Sequence, residues 1–193
     1  MDEQQITAVV QRWAVYRDAG DWDRFRSVWH PDGRMSATWF QGSYEEFIAA
    51  SRKAFADGVR ILHFLGGTAV EIAGDRAIAQ TKMTITQRGV VHRVEVDVVC
   101  MGRFYDFFAR HDGEWRIARR QPIYETDRMD AVDPAATLRL KADRLARFPV
   151  GYRHLAYLQE ANGQQVRPGL PGLDDDATTL LYEQGRSWLL DAV

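Results

Sequence analysis

The feature that most constrains this chain lies between Val59 and Tyr124. There "RILHFLGGTAVEIAG", "RAIAQTKMTITQ", "VVHRVEVDVVCMGRFYDFFARHDG" and "EWRIARRQPIYE" follow one another. These runs are rich in β-branched and aromatic residues, and Gly-Asp, Arg-Gly and Asp-Gly pairs separate them as turn signals. Long strands joined by short turns make an antiparallel meander, which needs something to cover one face. The preceding residues supply helices. Ile6, Val9, Val10 and Trp13 recur at helical spacing ahead of a stop at Gly20. In "DWDRFRSVW" Asp21 can cap a short helix whose stripe is Phe25, Val28 and Trp29. "HPDG" reads as a turn and "RMSATWF" as a strand, and Ser43 with Glu46 forms a capping box for "YEEFIAASRKAFA". The fold class is α+β, with helices packed on one face of a curved sheet.

After "DAVDP" the texture changes. "ATLRLKADRLARF", "GYRHLAYLQEANG" and "DDATTLLYEQGRSWLLDA" read as short helices divided by Pro- and Gly-rich links. Tyr152, Leu155, Tyr157, Leu158, Leu181, Trp188 and Leu189 are too apolar for a disordered tail. We divide the chain into an α+β domain at 1–130 and a helical extension at 131–193 that packs on the domain or on a neighbouring subunit.

The composition, 46% hydrophobic and 27% charged with a net charge of −2, gives no electrostatic reason to expect nucleic acid or an anionic membrane as partner. No apolar run reaches the length of a membrane span, and the acidic start "MDEQQITAVVQRW" lacks a signal-peptide layout. Cys100 has no cysteine partner within the chain and suits a reducing compartment, so the expectation is a cytoplasmic protein. No phosphate-binding glycine loop, cysteine pair or His-Glu-x-x-His is present, and His30, His63, His92, His111 and His154 lack a ligand spacing. We expect no metal and no cofactor.

His30 and His111 fall beside turn residues. His92 alternates with Val94, Val96 and Val98, so it can face inward, although it also lies near a turn. His63 differs, because Ile61, Leu62, Phe64 and Leu65 surround it in sequence. Two readings are open: a core histidine bonded to backbone, or a neutral imidazole paired with a carboxylate as a general base. Gly66 and Gly67 within the same strand indicate a bulge or bend that opens a hollow near His63. Asp18 is a candidate partner, but helical periodicity turns Arg17 inward more readily.

"YRDAGDWDRFRSVWHPDGRM", "HFLGG" and "HDGEWRIA" together resemble the SnoaL-like branch of the nuclear transport factor 2-like superfamily, over roughly residues 3–125. The likeness is nearest to its scytalone dehydratase, hexachlorocyclohexane dehydrochlorinase and bile-acid 7α-dehydratase members. It implies a cone-shaped, strongly curved, mixed sheet around an apolar pocket, with N-terminal helices closing the mouth. It also implies that His63 and Asp18 are a catalytic dyad, since scytalone dehydratase carries a functional histidine in an almost identical motif and an aspartate three residues before "DWD", and the dehydrochlorinase uses an Asp–His dyad with its aspartate at the same helix end. The departures are Arg17 in place of a tyrosine, Thr86 at the position of a second histidine, Ala37 for another tyrosine, and Gly102 and Phe104 for polar cavity residues.

The function so implied is cofactor-independent elimination, such as a dehydratase reaction, on a small and largely apolar substrate. An isomerase or polyketide cyclase using the same dyad, and a non-catalytic small-molecule binder, are alternatives. Candidate wall residues are Trp13, Tyr16, Trp39, Phe64, Thr86, Val98, Phe104, Phe108 and Tyr124. The outer row Arg93, Glu95, Asp97, Arg103 and Tyr105 suggests a subunit contact, and a homo-oligomer, with a trimer favoured over a dimer, is expected.

Overall fold

The computed structural model describes residues 1–191. Helix α1 (Asp2–Ala19) turns Ile6, Val9, Val10, Trp13, Ala14 and Arg17 inward and stops where Gly20 adopts a left-handed φ of 71°. Asp21 caps α2 (Trp22–Ser27) by accepting from the Arg24 N–H, and the expected Ser43–Glu46 box caps α3 (Tyr44–Ala56). Strand β1 (Trp29–Ser36) runs through "HPDG", which the sequence suggested was a turn. The stretch is absorbed as an irregularity in pairing between Trp29 and Arg34, and the strand ends well before Phe40. A short β2 (Gln41–Ser43) follows.

The meander comprises β3 (Ile61–Ala73), β4 (Arg76–Val91), β5 (Val94–His111) and β6 (Glu114–Ala131). Sheet order is β2-β1-β6-β5-β4-β3, antiparallel throughout except for the parallel β1–β6 pair. Two hairpin turns fall where expected, at Gly74–Asp75 and Asp112–Gly113. The third does not. It lies at His92 and Arg93, with φ of 50° and 68°, rather than at Arg88–Gly89. Gly89 stays inside β4, where an added Cβ would overlap the Leu158 side chain. His92 is therefore a turn residue and not a member of the Val94–Val98 face; its Nε2 lies 2.6 Å from the Tyr157 hydroxyl.

Three bulges bend the meander, one of them leaving Ala118 of β6 over between the pairs Phe107–Arg119 and Phe108–Ile117. In β3, Leu65 pairs with Met83 and Thr68 with Thr81, so the Gly66–Gly67 pair carries one extra residue. In β6, Met101 faces Thr126 and Gly102 faces Tyr124, leaving Glu125 over. A Cβ on Gly102 would collide with the Ile123 carbonyl, which explains why no larger side chain stands there.

Beyond β6, α4 (Ala142–Leu145) is shorter than its sequence pattern suggests, whereas α5 (Arg153–Ala161) and α6 (Asp176–Leu190) match theirs. Helix α5 packs against β4, β5 and β6 and joins the main core through Leu155, Ala156 and Leu158. Helix α6 lies on the other face, where Leu181 joins Ile78, Tyr105, Phe107 and Ile123. The outer row is thus partly covered by its own chain. Arg103 donates to the Tyr182 hydroxyl at 2.6 Å, and Gly185 lies so close to the Tyr105 hydroxyl that a Cβ would overlap it.

At the centre of the concave side an ion pair is sealed from water. Arg120 donates from Nε and Nη2 to both oxygens of Asp106 at 2.7 and 2.6 Å, with both side chains at 0% exposure. Its guanidinium lies 4.2 Å from the Trp13 ring centroid and 4.0 Å from that of Phe104. Replacing one partner would strand a buried charge. Asp106→Ala is expected to cost about 3–5 kcal/mol in urea unfolding, because the uncompensated guanidinium remains; a loss below about 1 kcal/mol would contradict this account.

Candidate active site

Edge strand β3 leaves backbone donors on its outer side without a ladder partner. Asp18, in the last turn of α1, meets one of them. Its Oδ2 accepts the His63 backbone N–H at 2.6 Å, while its Oδ1 lies 2.7 Å from His63 Nδ1. One carboxylate thus holds both the main chain and the ring. A carboxylate can only accept, so Nδ1 carries the proton and Nε2 carries the lone pair. Arg17 sits beside it, 3.6 Å from Asp18 Oδ1, and donates to the Ile61 carbonyl at 3.2 Å.

The apolar surroundings of His63 are not its sequence neighbours. Leu62 and Phe64 point outward, at 61% and 77% exposed, because a strand alternates its faces. The imidazole instead packs edge-on to Trp13 at 5.2 Å and near Phe104 at 6.0 Å, and its side chain is 6% exposed. Burial lowers the His63 pKa below its ordinary 6.5; Asp18 opposes this through hydrogen bond and charge, and the cations Arg17 and Arg120 reinforce it. The ring is neutral at pH 7. Arg120 was not among the candidate residues, since nothing in "WRIARRQ" distinguishes it from its basic neighbours.

His63 borders a cavity of about 40 Å³ on the concave side. Of the expected wall residues, Trp13, Trp39, Phe104 and Tyr124 line it; Phe64, Thr86, Val98, Phe108 and Tyr16 do not. Thr86 fails by a single position. It pairs with Leu62 on the outer side, while Ile85 and Gln87 face in, since a one-residue slip reverses a strand's faces. Val98 and Phe108 are consumed by the core, and Tyr16 borders a separate surface hollow with Val9 and Trp115. Two wider hollows, of about 750 Å³ beside α1 and about 820 Å³ beside α6, do not include His63. Burial pushes the Tyr124 phenol well above its ordinary value, so it remains a protonated donor.

The wall also includes Thr38, Gln87, Leu155 and Gln159, none of them expected there from sequence. Leu155 and Gln159 come from α5, and the Thr38 hydroxyl donates to Gln159 Oε1 at 2.7 Å. A signal was present, because a spacing of four places Gln159 on the apolar face that Leu155 defines. At about 40 Å³ the cavity has room for a few waters at most, so an organic ligand enters by displacing wall side chains. Among the described residues no three His, Cys, Asp or Glu side chains converge as a metal site requires, and no helix is long and apolar enough to cross a membrane.

A curved, unclosed sheet with helices against its hollow face is the architecture of the nuclear transport factor 2-like class. Within it the chain belongs to the SnoaL-like domain family, whose model matches residues 1–121. Pea pathogenicity protein 2 of Fusarium vanettenii is 35% identical over 200 residues, an alignment spanning 98% of this chain and 86% of that protein. Among solved structures, a type 2 hexachlorocyclohexane dehydrochlorinase superposes with a TM-score of 0.60 at 12% identity, covering 72% of this chain and 95% of its own. A putative scytalone dehydratase from Novosphingobium aromaticivorans gives 0.55 at 14% identity, covering 71% and 95%. At these identities the structures share the fold.

The geometry of the pair makes a measurable prediction. Asp18 raises the His63 pKa against the pull of burial, so Asp18→Asn is expected to lower it further. An NMR titration of the His63 ring proton checks this, and an unchanged midpoint would show that the carboxylate does not govern the imidazole.

Proposed function

We propose that the protein is a cofactor-independent lyase acting on a small, largely apolar molecule, with His63 as general base and Asp18 as the group that orients it. The observation that carries this reading is the two-point grip of Asp18 on His63, which fixes the tautomer and leaves Nε2 as a proton acceptor beside the cavity. A neutral imidazole with a pKa below 6.5 is in its basic form at neutral pH without prior loss of a proton. Positive charge from Arg17 and Arg120 favours the negative charge that develops on carbon as a proton leaves.

In the proposed reaction Nε2 removes a proton from carbon adjacent to an activating group. The C–H electron pair becomes the new π bond, and the leaving group departs with its own pair. Where that group is hydroxide, the imidazolium returns the proton and water is released. The names of the two solved structures sharing the cone, a dehydrochlorinase and a putative dehydratase, both denote loss of a small leaving group and support elimination over isomerisation.

The test is incubation with a panel of cyclic β-hydroxy ketones in D₂O, read by mass spectrometry for loss of water. His63→Ala is expected to lower turnover about 10²–10⁴-fold, the usual contribution of a positioned base. Because His63 acts unprotonated, kcat/KM should be level above neutrality and fall toward acid, with a midpoint below 6.5. A His63→Ala variant that retains the wild-type rate would remove the histidine from the mechanism. Deuterium incorporation without water loss would favour an isomerase.

A further inference from the structure

We propose that Gln87 is the ligand-anchoring residue of this cavity, and that it selects molecules carrying a hydrogen-bond donor, a hydroxyl or N–H. This rests on the reading of the cavity as the site where His63 acts. Gln87 is 2% exposed and lines the cavity, yet its side-chain oxygen is buried without a hydrogen-bond partner among the described residues. Its neighbours are already engaged: Thr38 is bonded to Gln159, Arg17 to the Ile61 carbonyl and His63 Nδ1 to Asp18. The wall's other donors, the Tyr124 hydroxyl and the unpartnered Trp13 Nε1–H among them, do not reach that acceptor either.

Folding alone gives no reason to keep an amide there. A buried acceptor without a donor is costly, whereas an apolar side chain of similar size carries no such penalty. The penalty is relieved when a ligand supplies the donor. The sheet register sets where that donor must be. His63 pairs with Ile85 and Ile61 with Gln87, so His63 and Gln87 are diagonal neighbours on one face. Such neighbours lie about 7–8 Å apart, close enough for one small ring to present its donor to Gln87 and a C–H to His63. Sites built to hydrogen-bond a ligand reject analogues lacking that group far more strongly than apolar pockets discriminate by size.

The test uses two molecules of equal shape, p-cresol and p-xylene, with binding followed through the fluorescence of Trp13 and Trp39 in the wall. Wild-type protein is expected to bind p-cresol at least tenfold more tightly. Gln87→Leu and Gln87→Met should each bring the ratio close to one, and should raise the Tm by about 2–4 °C as the unpaired acceptor disappears. The proposal is overturned if the variants keep the wild-type ratio, or if the wild type does not prefer p-cresol or binds neither compound at millimolar concentration. These are equilibrium binding measurements, so their failure is distinct from failure of the base mechanism, which His63→Ala tests through turnover.

Discussion

The buried pair of Asp106 and Arg120 holds the inside of the cone together. Both residues lie on the concave face of adjacent strands, and the planar guanidinium is placed between Trp13 and Phe104. A fork of two parallel hydrogen bonds fixes the cation's orientation in a way that a lysine could not. Because Trp13 belongs to α1 and Phe104 to β5, the same contact sets the distance between helix and sheet. His63 packs against both aromatic rings. The ion pair thereby shapes the space around the imidazole, and its charge helps keep that imidazole neutral. Pairs of this kind cost desolvation energy, and removing one partner costs more because it leaves the other charge buried and unpaired.

On that platform the dyad depends on two local facts. Helix α1 ends at Gly20, which puts Asp18 in its last turn, and β3 is the outermost strand, which leaves the His63 N–H available. An interior strand would have spent that donor on its neighbour. The edge, usually a weakness in a sheet, is closed here by a helix end. Burial and the nearby cations act against protonation while the carboxylate acts for it, and the balance favours the neutral ring.

Much of the frame was legible in the sequence because it rests on local rules. The stop at Gly20, the Asp21 cap, the Ser43–Glu46 box and the Gly66–Gly67 bulge all depend on residues close together in the chain. The errors arose where distant segments decide. Gly89 resembled a turn signal, but it is a glycine because Leu158 of α5 approaches it closely. Thr86 was one residue from the correct face, a slip that pairing register alone could settle. Phe64 looked buried among apolar neighbours, and alternation turned it outward. The partnership of Asp18 with His63 was reached by resemblance to a family, since helical periodicity favoured Arg17. Periodicity was not mistaken, for Arg17 is buried as well.

The contribution of α5 has a consequence for how such a protein can diversify. The family model ends at residue 121, yet Leu155 and Gln159 belong to the cavity wall, and Asp127 anchors their helix by accepting the His154 and Leu155 N–H groups at 2.6 and 2.8 Å. The Asp18–His63 contact sits entirely within the matched region. The cavity wall is thus encoded in two stretches of the chain, with Trp13, Trp39, Gln87 and Phe104 inside the matched region and Leu155 and Gln159 beyond it. A different tail docked on the same sheet would present new groups to the cavity while Asp18 and His63 stayed in place, so part of the wall can change without moving the pair.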